Sequence, residues 1–204
     1  MSEDDEGKEH VPRWDDSYFD SVAEKLAINY DLFKDHRIKD KLYPMFGVLK
    51  IDNYKRLLHP SLTYGHQRSI EYLFVERKSG LEQQELEKQV DFGKELAAEN
   101  GWDGPDSLSV DHPDDADLFS REYTFVTVSS DVNHDVLNFV REFSDRNLIK
   151  FGLGGHYEIN LVMVDLENQV SAGSKNTDLD AAFSNWDSRD NRKTIIDKVK
   201  EVVK

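Results

Sequence analysis

The run Glu122-Tyr123-Thr124-Phe125-Val126-Thr127-Val128 and the run His156-Tyr157-Glu158-Ile159-Asn160-Leu161-Val162-Met163-Val164-Asp165-Leu166 decide the fold. Both are rich in β-branched, aromatic and aliphatic residues, as buried strands are. Between them, Ser129-Ser130-Asp131 supplies a helix cap, and Val132, Val136, Phe139, Val140 and Phe143 recur at helical spacing. Gly152-Leu153-Gly154-Gly155 then turns the chain into the second run. Strand, helix, glycine turn and near-continuous apolar strand predict a crossover between parallel neighbours in a sheet. By the handedness rule that crossover is right-handed.

The glycines do not make a nucleotide site. A dinucleotide fingerprint runs strand, glycines, helix, so that a helix N-terminus meets the phosphates. Here the glycines follow the helix and precede a strand, and no Gly-Lys-Ser/Thr accompanies them. They read as a turn where the backbone needs positive φ.

Upstream, Trp14-Asp15-Asp16-Ser17 opens a helix whose stripe is Phe19, Val22, Ala23, Leu26, Ala27, Tyr30 and Phe33, with an exit at Asp35-His36-Arg37. Residues 42–51 are strand-like. Asp52-Asn53 reads as a turn, and 54–59 as a returning strand that Pro60 ends. Residues 61–68 form a polar connection and 71–77 a third strand, which together predict an antiparallel meander with one wet face. A helix at about 81–99 carries Leu81, Leu86, Val90, Gly93, Leu96 and Ala97 and stops at Asn100-Gly101. Gly93 inside it marks close packing against another element. Two prolines, two glycines and six aspartates make 101–119 a long acidic loop. Downstream, a short helix around Ala181-Ala182-Phe183 and a final helix at 191–203 are expected, and residues 1–13 read as a disordered acidic tail. The predicted fold is α+β: a single domain over 14–204, with a mixed sheet of about five strands. Helices lie mainly on one face, with helical N- and C-terminal segments.

Three polar residues interrupt the second run. Alternation places His156, Glu158 and Asn160 on one face of the strand and Tyr157, Ile159, Leu161 and Met163 on the other. His156 and Glu158 have the residue types of metal ligands, with His59 or His66 from the meander, or Glu158 alone serves as a base. The acidic, acidic-x-Lys pattern of restriction nucleases is missing its lysine, since Glu158-Ile159-Asn160 ends in an amide. A second cluster, His59, Tyr64, His66 and Arg68, resembles a recognition loop. Its i, i+7 histidines fit no zinc spacing, and Ser61 lacks the glycines of a nucleophile elbow. The acidic run 111–117 lacks the alternation and central glycine of a calcium loop. No complete catalytic constellation, metal set or cofactor motif stands in the sequence.

Acidic residues outnumber basic ones 41 to 26, a net charge of −15, and 25 of the 41 are aspartate. Such a surface repels nucleic acid. An excess of short, hydrated carboxylates is the composition of a protein working in high salt, where repulsion is screened within a few ångström. There is no cysteine, so disulfides and thiolate chemistry are excluded. No apolar run approaches a membrane span, and the acidic start is unlike a signal peptide. A cytoplasmic protein is expected.

The segments Trp14-Asp15-Asp16-Ser17-Tyr18, Asn29-Tyr30-Asp31-Leu32, His59-Pro60-Ser61-Leu62-Thr63-Tyr64, Val90-Asp91-Phe92-Gly93 and Lys150-Phe151-Gly152-Leu153-Gly154-Gly155-His156-Tyr157-Glu158-Ile159-Asn160-Leu161 resemble a haloarchaeal family of proteins carrying a domain of unknown function. The resemblance spans residues 14 to about 166 and implies a high-salt setting; it implies no reaction. The expectation is a non-catalytic cytoplasmic domain that binds a protein or small-molecule partner. The alternative is a metal-dependent hydrolase using His156 and Glu158.

Overall fold

The computed structural model describes residues 11–56, 63–98, 118–148 and 156–186, with backbone alone for 52–56, 63–68 and 118–119. The described chain orders its elements as α1 (Ser17–Leu26), β1 (Asp31–Ile38), β2 (Lys41–Arg56), β3 (Thr63–Arg77), α2 (Gln83–Ala98), β4 (Leu118–Ser129), α3 (His134–Glu142), β5 (Asp145–Leu148), β6 (His156–Asp165), β7 (Val170–Gly173) and α4 (Asp180–Phe183).

All seven strands join one mixed sheet, in the order β1-β2-β3-β4-β6-β5, with β7 pairing β6 beside β5. β1, β2 and β3 run antiparallel. β3, β4 and β6 run parallel, and β5 and β7 return antiparallel along the outer edge of β6. The predicted crossover is present: β4, α3 and β6 put two parallel strands side by side. A second crossover, β3-α2-β4, stands next to it. Seven strands replace the expected five or so: β1, β5 and β7 are additional, the last two being four residues long and too short to show a period, and the strands expected on either side of Asp52-Asn53 run on as the single strand β2.

Helices cover both faces, not mainly one. On the face called upper here, α2 and α3 bury Leu86, Val90, Leu96, Val136, Leu137 and Val140 against Tyr72, Phe74, Tyr123, Phe125, Ile159 and Leu161. On the lower face, Phe19, Val22, Ala23 and Leu26 of α1, with Phe183 of α4, pack on Met45, Leu73, Val75, Val126, Val128, Val162 and Val164. Each fully buried aliphatic side chain contributes about 1.5–3 kcal/mol, so both layers matter. The central strands have apolar residues in both directions, which is why they read as continuous apolar runs.

The first helix is shorter than its stripe. Asp16 caps it, its carboxylate accepting from the amides of Tyr18 (3.0 Å) and Phe19 (3.2 Å). It ends at Leu26, whose carbonyl accepts from the amides of Asn29 and Tyr30. Residues 31–38 then form β1, paired with β2 from Asp31↔Val48 to Ile38↔Lys41. Tyr30 and Phe33 continue the 3–4 spacing of the helix, yet Tyr30 joins the lower core and Phe33 packs against the upper one. Sheet pairing overrides local periodicity here.

The turn expected at Asp52-Asn53 is strand. Asp52 pairs with Arg68 and Asn53 with Gln67, so the hairpin runs through this pair and the polar connection at 61–68 becomes, from Thr63, part of β3. β4 likewise begins at Leu118, inside the expected loop. The tail through residue 10, most of the 101–119 loop, the glycines 152–155 and the helix expected at 191–203 lie outside the described residues.

Candidate functional site

The lower face changes character along its parallel strands. Toward their C-terminal ends it is apolar and covered by α1 and α4. Toward their N-terminal ends, the residues on the same face are polar. The register places Glu71 beside Glu122 and Glu122 beside Glu158, so three glutamates form a row across β3, β4 and β6. The row before it ends in Ser120 beside His156, and the row after it holds Thr124 beside Asn160. Adjacent strands stand about 4.8 Å apart, and like charges directly opposite one another repel. Something must compensate.

The outer glutamates are held by donors. Glu71 Oε2 accepts from the Tyr30 hydroxyl at 2.6 Å and Oε1 from the Thr124 hydroxyl at 2.6 Å. Glu158 Oε1 takes Arg146 Nε at 3.1 Å and His156 Nε2 at 3.3 Å. Arg146 reaches it because β5 pairs Arg146 with Glu158. The middle carboxylate has the weakest support: the Ser120 hydroxyl donates to Glu122 Oε1 at 3.4 Å. Burial, then the negative charges of Glu71 and Glu158, push the Glu122 carboxyl up to about 7; Ser120 and Arg146 oppose this. Burial and the neighbouring Arg146 guanidinium lower the pKa of His156, against the pull of Glu158, so its imidazole is neutral at pH 7. The His156–Glu158 contact is then a hydrogen bond rather than an ion pair.

Asn160 sits at 1% exposure. Its Oδ1 accepts from the Ser174 hydroxyl at 3.3 Å, and that hydroxyl oxygen accepts the Leu161 amide at 3.1 Å. Among the described residues its Nδ2 has no hydrogen-bond partner. An unpaired buried amide group is costly, and this one stands in the row next to the glutamates.

The expected trio therefore shares one face and one polar zone, with His156 and Glu158 in contact. Two members of the second cluster, Tyr64 and His66, lie away from the row. His59 lies outside the described residues. Tyr64 and His66 lie on the part of β3 that pairs with β2 alone, since pairing with β4 begins at Arg68. The hairpin carries them beyond the carboxylate row; Arg68 precedes Ser69, whose lateral partner is Ser120. Glu71, Glu122, Tyr30 and Arg146 were not legible as site residues from single segments. A repeated signal points to the row: Glu71-Tyr72-Leu73-Phe74-Val75, Glu122-Tyr123-Thr124-Phe125-Val126 and Glu158-Ile159-Asn160-Leu161-Val162 all open on glutamate and reach valine four residues later.

Ser120, His156 and Glu158 are the residue types of a hydrolytic triad, wired differently. His156 turns Nε2 to Glu158, and the Ser120 hydroxyl donates to Glu122, so the serine proton is directed at a carboxylate rather than at the imidazole. Among the described residues, no group of three or more His, Asp or Glu is arranged to hold a metal ion. The arrangement offers acceptors: it suits hydrogen-bond donors and positive charge. No helix among the described residues is long and apolar enough to cross a membrane.

No curated protein and no solved structure matches the chain. A family model described as a domain of unknown function (DUF8052) matches residues 15–185, which holds every element from α1 to α4 and the whole carboxylate row; the chain belongs to this family.

Proposed function

We propose that this chain is a non-catalytic, cytoplasmic, high-salt-adapted binding domain, and that the polar half of its lower sheet face is the recognition site. The observation that carries this reading is the row Glu71-Glu122-Glu158 on adjacent strands, with His156 and Asn160 beside it. Even with Glu122 only partly ionised near pH 7, the carboxylates outweigh the one guanidinium and leave the row net negative, and a neutral His156 adds nothing to offset it. The matching ligand carries an ammonium or guanidinium group, on a small molecule or on a basic segment of a protein partner. Perturbed titratable groups concentrated in one zone support a functional role. The hydrolase alternative has less support: among the described residues no group of three or more His, Asp or Glu is arranged to hold a metal ion, and the Ser120 hydroxyl donates to Glu122 rather than to His156.

The test is a thermal-shift series in molar KCl with organic amines, guanidinium compounds and Lys/Arg-rich peptides. Partly buried charge pairs survive such salt better than exposed ones. The expected result is a rise in Tm with one class of cation, lost in Glu158→Gln. No shift with any compound, or the same shift in the variant, overturns the reading.

A further inference from the structure

We propose that Glu122 is the proton-operated latch of the lower sheet face: with a proton it bonds to one flanking carboxylate and repels neither, and without one it repels both. The geometry carries this. Glu122 is the middle member of a row whose neighbours are glutamates on both sides. Those neighbours are held by groups on other elements. Tyr30, at the exit of α1, holds Glu71 on β3, and Arg146, on the short edge strand β5, holds Glu158 on β6. A protonated Glu122 donates an O–H to a flanking carboxylate and adds no charge. An ionised Glu122 puts a third negative charge between the two, and the repulsion acts on the α1 exit and on β5.

The groups facing Glu122 are Glu71 from β3, Glu158 and His156 from β6, Arg146 from β5, Tyr30 from the segment after α1, and Ser120 and Thr124 from β4 itself. Tyr30 is buried and its pKa is raised by that burial and by Glu71, so it stays a donor throughout. Thr124 and Ser120 do not titrate. The Glu122 carboxyl ordinarily titrates at 4.5 and here at about 7. The folded state therefore holds a proton that the unfolded state has released between those values. Stability is full below about 4.5, falls as pH rises to about 7, and is flat above. His156 works in the opposite direction. Its folded pKa is lowered, so its contribution is present above its ordinary value of 6.5 and is lost as pH falls through the folded one. The two slopes have opposite signs, so a variant of one residue separates them. The latch needs no ligand and stands or falls apart from the binding reading.

The experiment follows Tm between about pH 5 and about pH 8 for the wild type and Glu122→Gln, with the side-chain carboxyl carbons of the wild type titrated by NMR over the same range. The glutamine keeps the shape and donor capacity of the protonated acid. The expected result is a wild-type Tm that falls by about 5 °C more than that of E122Q, with one glutamate carboxyl titrating near neutrality. If E122Q does not fold, the carboxyl titration decides alone. An equal fall in both proteins, or no carboxyl titrating above about pH 6, overturns the proposal.

Discussion

A Cβ built on Gly93 stands 2.9 Å from Cε2 of Phe125 and 3.2 Å from Cδ1 of Ile159. Glycine in the middle of α2 costs about 1 kcal/mol of helix propensity relative to alanine. It is there because the helix lies directly on the sheet. The Phe125 ring cannot yield cheaply: it stacks on Phe74 at 4.7 Å between centroids and meets the edge of Phe92 at 6.2 Å. Overpacking of this kind costs about 1–3 kcal/mol, which exceeds the propensity gain. Gly93→Ala is therefore expected to lower stability in urea denaturation, by about 1 kcal/mol net. An alanine variant more stable than the wild type means that α2 can lift without loss.

Asp165 closes the β4-α3-β6 crossover. Its Oδ1 accepts from the amides of Glu167 (3.1 Å) and Asn168 (3.0 Å), and its Oδ2 from the amide of Val132 (3.2 Å) and Nδ2 of Asn168 (2.8 Å). The residue is 1% exposed. Whichever way an asparagine is turned here, its N–H₂ group faces two donors that have lost their acceptor. Asp165→Asn is expected to cost about 2–4 kcal/mol, read from the denaturation midpoint at unchanged slope. A loss under about 0.5 kcal/mol, the size of an ordinary surface change, means that the turn after β6 does not need this carboxylate.

The Tyr30 hydroxyl donates to Glu71 at 2.6 Å and is the link between the exit of α1 and the carboxylate row. Its ring packs in the lower core, so Tyr30→Phe removes the donor and leaves the packing. A hydrogen bond to a charged acceptor contributes about 1.5–3 kcal/mol. The variant is expected to lose that much stability and to exchange the backbone amides of β1 faster, since β1 follows Tyr30 directly. Unchanged exchange in β1 together with unchanged stability separates Tyr30 from any role in holding the row.

The sequence carried the parallel half of the sheet well and the antiparallel half poorly, for a physical reason. β4 and β6 are buried on both sides, so their composition alone marks them. β1 is an edge strand with a mixed exposure pattern, and Tyr30 just before it and Phe33 within it sit at helical spacing from Leu26. Asp52-Asn53 is turn-like in isolation, and only the partner residues Gln67 and Arg68 make it strand. The site was half legible for the same kind of reason. Alternation within one strand groups His156, Glu158 and Asn160. The row that includes Glu71 and Glu122 depends on strand order and register, which pairwise contacts between distant segments decide. Arg146 was out of reach in a different way: α3 ends at Glu142, and the strand that carries Arg146 is four residues long, too short to show a period.

Molar KCl is expected to raise the Tm. Two salt effects oppose each other. A net charge of −15 makes the compact state repel itself, and at 1 M salt the Debye length shrinks to about 3 Å, which removes most of that repulsion. Salt also weakens attractive pairs. Several described pairs have an exposed partner, such as Lys34–Asp15 at 3.3 Å with the aspartate 93% exposed, and pairs of that kind contribute only about 0–1 kcal/mol each. The sheltered ones, Lys41–Glu76 at 2.9 Å and Arg146–Glu158 at 3.1 Å, each keep one carboxylate at or below 10% exposure, where screening acts less. Relief of repulsion therefore exceeds loss of attraction. Circular dichroism melts from low to molar KCl, repeated with NaCl, measure the balance. A Tm that stays level or falls in both salts sinks the high-salt reading, because it shows that the carboxylate excess does not repel enough to matter.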